Sequence, residues 1–237
     1  MTADAVAEGA LVTGIRRGLA GAACAPNAAA MQRYMKSSMP FHGVKSPELR
    51  GIVGPLVVSH PLPDRAAWER TVRTLYDDAT HREERYAAIA VAGHRLYRRW
   101  RDADALALWR HLITTGAWWD LVDAVVPFVD DALRADPDAV RPVVLAWSEA
   151  DDVWLRRAAI ISQLRAKEDT DLDLLTRVVD ANVEGTRFGS EFFVRKAIGW
   201  ALRQYARVDP GWVRAFVAER SEVLSGLSRR EALKHLG

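Results

Sequence analysis

The sequence predicts an all-α fold built as a solenoid of paired helices, and two observations carry that expectation. Apolar residues recur three and four positions apart along almost the whole chain, and the two-residue alternation of a half-buried strand is absent. In addition, five short stretches resemble one another: Arg85-Tyr-Ala-Ala-Ile, Val122-Asp-Ala-Val-Val, Arg156-Arg-Ala-Ala-Ile, Arg195-Lys-Ala-Ile-Gly and Arg229-Arg-Glu-Ala-Leu. Their first residues lie 37, 34, 39 and 34 positions apart, which is the length of two antiparallel helices with their turns.

Such pairs are the unit of a HEAT-like solenoid. The small residues in the middle of each stretch let neighbouring helices approach closely. A helical bundle without repeats is the alternative, and the near-constant period argues against it. Pro40, Pro47, Pro61, Pro63, Pro127, Pro137, Pro142 and Pro210 each stand near an expected helix start or end. Asp120, Asp151 and Asp152 read as helix caps. No low-complexity tract or linker divides the chain, so residues 1–237 are expected to form a single domain. The inner, concave face of the solenoid is where function is expected.

A chain of 237 residues buries roughly 70–75% of its unfolded surface on folding. Its 49% hydrophobic and 27% charged residues exclude disorder and fibrous repeats. No run approaches the roughly 18 apolar residues of a membrane helix. Only six residues separate Arg17 from Cys24, too few for the apolar core of a secretory signal, and a cytoplasmic protein is expected. One cysteine excludes an internal disulfide and a cysteine-rich zinc site. Six histidines (His42, His60, His81, His94, His111 and His235) are scattered without ligand spacing, so no metal site is expected. No glycine-rich phosphate loop, nucleotide fingerprint or GxSxG elbow occurs, and no cofactor is expected. Net charge is only +2, yet 28 of the 33 basic residues are arginine. The planar guanidinium fork suits phosphate, although a GC-rich genome explains the same bias.

Three of the repeated stretches carry a tryptophan and a charge on one helical face. Trp119 and Asp123 are four apart; Trp154 and Arg157 are three apart, with Arg165 two turns on; Lys196, Trp200 and Arg203 fall at i, i+4 and i+7. Equivalent helices of a solenoid present equivalent faces, so these side chains are expected to converge on one groove. Cations there fit a phosphate backbone, and indole faces with one carboxylate fit a cationic centre. Asp123 lies in the apolar run LVDAVVPFV, where a carboxylate is costly without a partner or a task. Plainer readings stand beside these. Trp68, Trp100, Trp109, Trp147 and Trp212 are taken as core, any single site tryptophan also reads as filling, and Arg157 also reads as neutralising a neighbouring acid.

At these residues the sequence resembles the AlkD family of bacterial alkylpurine DNA glycosylases. The resemblance rests on WWDLVDAVVP (118–127), DDVWLRRAAI (151–160), FFVRKAIGWALRQYA (192–206) and LSRREALKH (227–235). RYMKSSMPFHGVKSPELR (33–50) resembles that family's N-terminal signature. It implies a HEAT-like solenoid curved around duplex DNA and excision of cationic N3- or N7-alkylated purines, leaving an abasic site. The family's catalytic aspartate falls on Asp123, with Trp119 and Trp200 as the indoles beside it. Arg157 falls on the arginine of the W-L-x-R motif, and Tyr34 completes the pocket's edge. Arg165 and Arg203 fall on basic positions that would face phosphates, and Lys196, from the stripe on its helix, is expected to bind DNA with them. The segment FHGVK departs from the family's binding residues at His42 and Lys45, and the first 25 or so residues are unmatched.

The implied chemistry suits these residues. Alkylation at N3 or N7 already charges the purine, so the base leaves without protonation. What remains is to stabilise an oxocarbenium-like sugar and to supply water, tasks for indole faces and one carboxylate. No lysine stands as a Schiff-base nucleophile, so no lyase activity is expected. A monomer suffices for duplex DNA. A narrower expectation is self-resistance, the excision of bulky adducts of a DNA-alkylating natural product by its producer. The alternatives are a non-catalytic duplex-binding repeat protein and a protein-interaction scaffold.

Overall fold

The computed structural model describes residues 3–236, with side chains from residue 8 onward; residues 1, 2 and 237, the outer ends of the expected domain, lie outside the described residues. These are helical with short turns, and no strand occurs among them. Two compact units form, Met1–Trp100 and Arg101–Gly237. No helix of the described residues is long and apolar enough to cross a membrane.

The first unit contains α1 (Ala3–Gly21), α2 (Ala25–Met35), α3 (Ser46–Ser59), α4 (Arg65–Asp77) and α5 (Arg82–Ala92), then a 3₁₀ turn, Arg95–Trp100. Leu11, Ile15 and Leu19, four apart on one face of α1, are fully buried where α1 meets α3, α4 and α5. Asp64 caps α4 by accepting from the Ala67 amide at 2.7 Å. The loop from α2 to α3 carries the FHGVK segment and is fastened by one buried side chain. Glu83 on α5 accepts the backbone N–H groups of His42, Gly43 and Val44 at 2.9, 2.8 and 3.1 Å. Gly43 has φ +87°, and a Cβ there would fall 2.2 Å from the Cys24 carbonyl, so only glycine closes this turn.

The second unit begins with a 3₁₀ turn, Ala103–Ala105, followed by α6 (Leu106–Gly116), α7 (Trp119–Ala135), α8 (Pro137–Ser148) and α9 (Val153–Ile160). It continues with α10 (Leu172–Asp180), α11 (Phe192–Tyr205), α12 (Pro210–Glu219) and α13 (Gly226–Ala232). Helices α7, α9, α11 and α13 lie side by side, each packed on the next. Behind them α6 and α8 pack on α7 and α9, α10 on α8 and α9, and α12 on α11 and α13. This is a helical repeat in which α7, α9, α11 and α13, every second helix, form one layer. The five repeated stretches fall on α5, α7, α9, α11 and α13, every second helix of the chain. Their fourth residues, Ala88, Val125, Ala159, Ile198 and Ala232, are all buried.

Local chemistry sets the helix starts. Asp136, Asp152, Asp171, Asp209 and Ser225 each accept a backbone N–H of their first turn. Asp152 is thus the expected cap, whereas Asp151 pairs with Arg187 at 2.5 Å and Asp120 sits inside the first turn of α7, whose cap position is Trp118. Pro47, Pro137 and Pro210 occupy first turns as expected, but Pro127 and Pro142 lie inside α7 and α8. Both helices, each packed on neighbouring helices, continue through them despite the roughly 3 kcal/mol that an interior proline costs. Trp68, Trp100, Trp109 and Trp147 are buried, and Trp212 stacks on Phe216. At Gly199 a Cβ would fall 2.4 Å from Glu231 Cβ, so α11 and α13 approach closely only because that residue has no side chain.

Candidate active site

Helix periodicity puts Asp123, Pro127 and Asp130 on one face of α7. They line a pocket with Trp200 and Gln204 of α11 and with Arg165 from the turn after α9. Three of the residues singled out in the sequence therefore meet here: Asp123, Trp200 and Arg165.

Asp123 is held by one partner. Arg157 Nε donates to Oδ1 and Nη2 to Oδ2, both at 2.8 Å, in a bidentate pair. The remaining terminal nitrogen, Nη1, donates to the Phe193 carbonyl at 2.8 Å. The Arg157 side chain is 6% exposed and that of Asp123 18%. Arg157 was expected on the DNA face. Its guanidinium is instead buried and directed at Asp123; the plainer reading has it neutralise a neighbouring acid without naming one. Burial pushes the Asp123 carboxyl above its ordinary pKa; hydrogen bonding and charge from Arg157 pull it back, and nearby Asp120 adds to the rise. The net effect is a carboxyl paired with one guanidinium yet more basic than a solvated aspartate.

The other expected residues lie apart from this pocket. Trp119, the first residue of α7, is half-buried one turn before Asp123 and does not line the pocket. Trp118 and Trp154 pack instead with Phe193, at ring separations of 5.0–5.8 Å, behind the Asp123–Arg157 pair. Lys196 and Arg203 flank Trp200 on α11 and are both tied to Glu231 of α13, Lys196 at 2.9 Å. Their hydrogen bonds and charges hold the Glu231 carboxyl below its ordinary pKa. Tyr34, on α2 of the first unit, is 73% exposed.

A family model described as DNA alkylation repair enzyme matches residues 15–236. The chain belongs to that family. Among solved structures, one titled "Predicted DNA alkylation repair enzyme from Enterococcus faecalis" is similar at 31% identity and a TM-score of 0.79, over 90% of this chain and 95% of that one. No curated protein matches the chain. As a member of the DNA alkylation repair enzyme family, the chain has a role in DNA repair and an enzyme's identity, with DNA as the partner this implies.

Three carboxylates of this family member went unmarked in the sequence. Asp130 ends the apolar run that holds Asp123, so the cost of a carboxylate in apolar surroundings signals both. Glu231 occupies the third position of its repeat, where the other four stretches have alanine. Glu83 has no such signal, because its partners are backbone groups some 40 residues away. Distance in sequence also hid a histidine pair. His42 and His81 stack with ring centroids 3.7 Å apart, and their ligand atoms lie within 4.8 Å of Glu84. Burial and the neighbouring His81 lower the His42 pKa. The Glu84 oxygens already accept from Thr80, the His81 amide and Arg16.

Proposed function

We propose that this chain is a monofunctional DNA N-glycosylase that removes cationic N3- or N7-alkylated purines from duplex DNA, acting as a cytoplasmic monomer. The observation that carries this reading is the Asp123 carboxylate: made more basic by burial, gripped by Arg157 and lining a pocket with Trp200.

In the reaction, the bond between C1′ and the purine nitrogen breaks, and its electron pair neutralises the alkylated ring, which leaves as the free base. Positive charge that develops on the sugar is offset by the Asp123 carboxylate and the π face of Trp200. Trp119, one turn away, serves as the second indole. Asp123 accepts a proton from water as the water oxygen bonds to C1′, on the side opposite the departing base. Arg157 acts through Asp123, fixing its orientation and keeping it ionised. Arg165, Lys196, Arg203 and Tyr34 supply contacts to the DNA backbone. No lysine of the described residues lines the pocket, in keeping with a glycosylase that lacks lyase activity.

The test is free-base release from a duplex carrying one 7-methylguanine, with Asp123→Asn in parallel. Release by the parent chain and a loss of about 10²–10³ in the variant, with duplex binding retained, is expected. An Asp123→Asn variant that excises at the parent rate overturns the mechanism. Binding without release from methylated, bulky N7-guanine or bulky N3-adenine lesions leaves a non-catalytic duplex binder; release confined to the bulky lesions is the outcome that fits self-resistance.

A further inference from the structure

Asp130 lies seven residues after Asp123, two turns or about 10 Å along α7, and lines the same pocket. Its side chain is 2% exposed. One carboxylate oxygen, Oδ1, is buried with no hydrogen-bond partner. The other, Oδ2, accepts from Arg165 Nε at 2.9 Å and lies 3.3 Å from Arg134 Nη2. Burial raises the Asp130 pKa, while Arg134 and Arg165 oppose that rise. Val126, Val129 and Leu133 are buried around this position on α7. An apolar residue there would fold at no desolvation cost and would strand no oxygen. A buried carboxylate that is half satisfied calls for a reason outside the core.

The reason lies in what it holds. Arg165 extends from a non-helical turn, and its side chain is 46% exposed. An arginine in that setting samples many rotamers. Here three acceptors of α7 fix it: Asp130, Asp131 at 2.8 Å, and the Pro127 carbonyl. Asp131 is itself steadied by Arg101 and Arg134. All three acceptors engage Nε and Nη2, so Nη1 has no partner among the described residues and stays open to a phosphate oxygen.

We propose that Asp130 is a positioning residue that acts through Arg165, holding its guanidinium pre-oriented beside the Asp123 pocket to meet a phosphate of the DNA backbone. This rests on the glycosylase reading for its reaction, but not for its binding step. Pre-orientation removes an ordering cost that binding would otherwise carry.

The experiment is a double-mutant cycle of Asp130→Leu and Arg165→Ala. It reads Kd for undamaged duplex at several salt concentrations, KM and kcat for excision, and thermal midpoint. Asp130→Leu is expected to raise Kd and KM by roughly three- to tenfold, with the loss in KM rather than kcat and no fall in thermal midpoint. In the Arg165→Ala background the same change is expected to add nothing. An equal effect in both backgrounds, or no effect in either, overturns the proposal. Should Asp130→Leu fail to fold, Asp131→Asn, at the partly exposed end of the clamp, takes its place in the cycle with the same criteria. Failure of the parent chain to release any base removes the glycosylase reading alone, since the Kd cycle still decides the role of Asp130.

Discussion

Two carboxylates, one in each unit, are both withdrawn from water yet held by opposite means. Glu83 of the first unit is fully buried and accepts three backbone N–H groups from a single loop. Asp123 of the second unit accepts two N–H groups from one side chain and lines a pocket. Backbone donors cannot move away or change charge, so Glu83 is a fastener whose worth is the loop it orders. A guanidinium partner leaves the other side of Asp123 available to chemistry and sets its basicity. Burial alone therefore does not distinguish the two; the kind of partner and the open pocket do.

The comparison breaks most sharply at the rate. Asp123→Asn should cost about 10²–10³ in single-turnover base release, whereas Glu83→Ala should leave that step little changed in whatever protein remains folded. The second difference is in stability. Glu83→Ala strands three backbone N–H donors, two of them buried, and should lower the unfolding free energy by about 2–4 kcal/mol, read from urea melts. A Glu83→Ala protein as stable as the parent would mean that the loop does not depend on this carboxylate.

The proposed reaction needs Asp123 ionised to accept the proton of water, and burial raises its pKa. The rate therefore falls as pH drops through that raised value, starting at higher pH than for a solvated aspartate. Arg157 opposes the rise, so Arg157→Gln should move this acid limb upward by about one unit or more. A pH–rate profile of both proteins checks the sign; a limb that stays in place detaches Arg157 from the ionisation of Asp123. The smallest expected effect is at Arg203, which shares Glu231 with Lys196. Arg203→Ala should weaken duplex binding a few-fold and reduce the salt slope by about one, measured by titration at several ionic strengths. An unchanged slope takes Arg203 off the DNA backbone.

The repeat was legible because it is periodic. Five stretches at near-constant spacing marked every second helix from α5 to α13, and their buried fourth positions recur as a packed layer must. Asp123 was legible because a carboxylate in an apolar run stands out, whereas Asp130, at the end of that run and followed by Asp131, went unmarked. Pro127 and Pro142 misled, since proline punctuates isolated helices but is tolerated inside packed ones. The partners of the cations were not legible. Arg157, Arg165, Lys196 and Arg203 read as phosphate contacts in the sequence, and each is also paired with a carboxylate of an adjacent repeat helix.

Sequence by itself determined the helical repeat and its phase and singled out the Asp123 carboxylate, because local periodicity and the cost of a charge in apolar surroundings are written along the chain. Tertiary structure alone decided which cation serves which acid. The Arg157–Asp123 and Arg165–Asp130 pairs join residues 34 and 35 positions apart. Arg157 became the partner of a buried acid, and Arg165 stayed half-exposed at a pocket, because their burial follows from how α7, α9 and α11 pack. Helix spacing alone leaves that choice open.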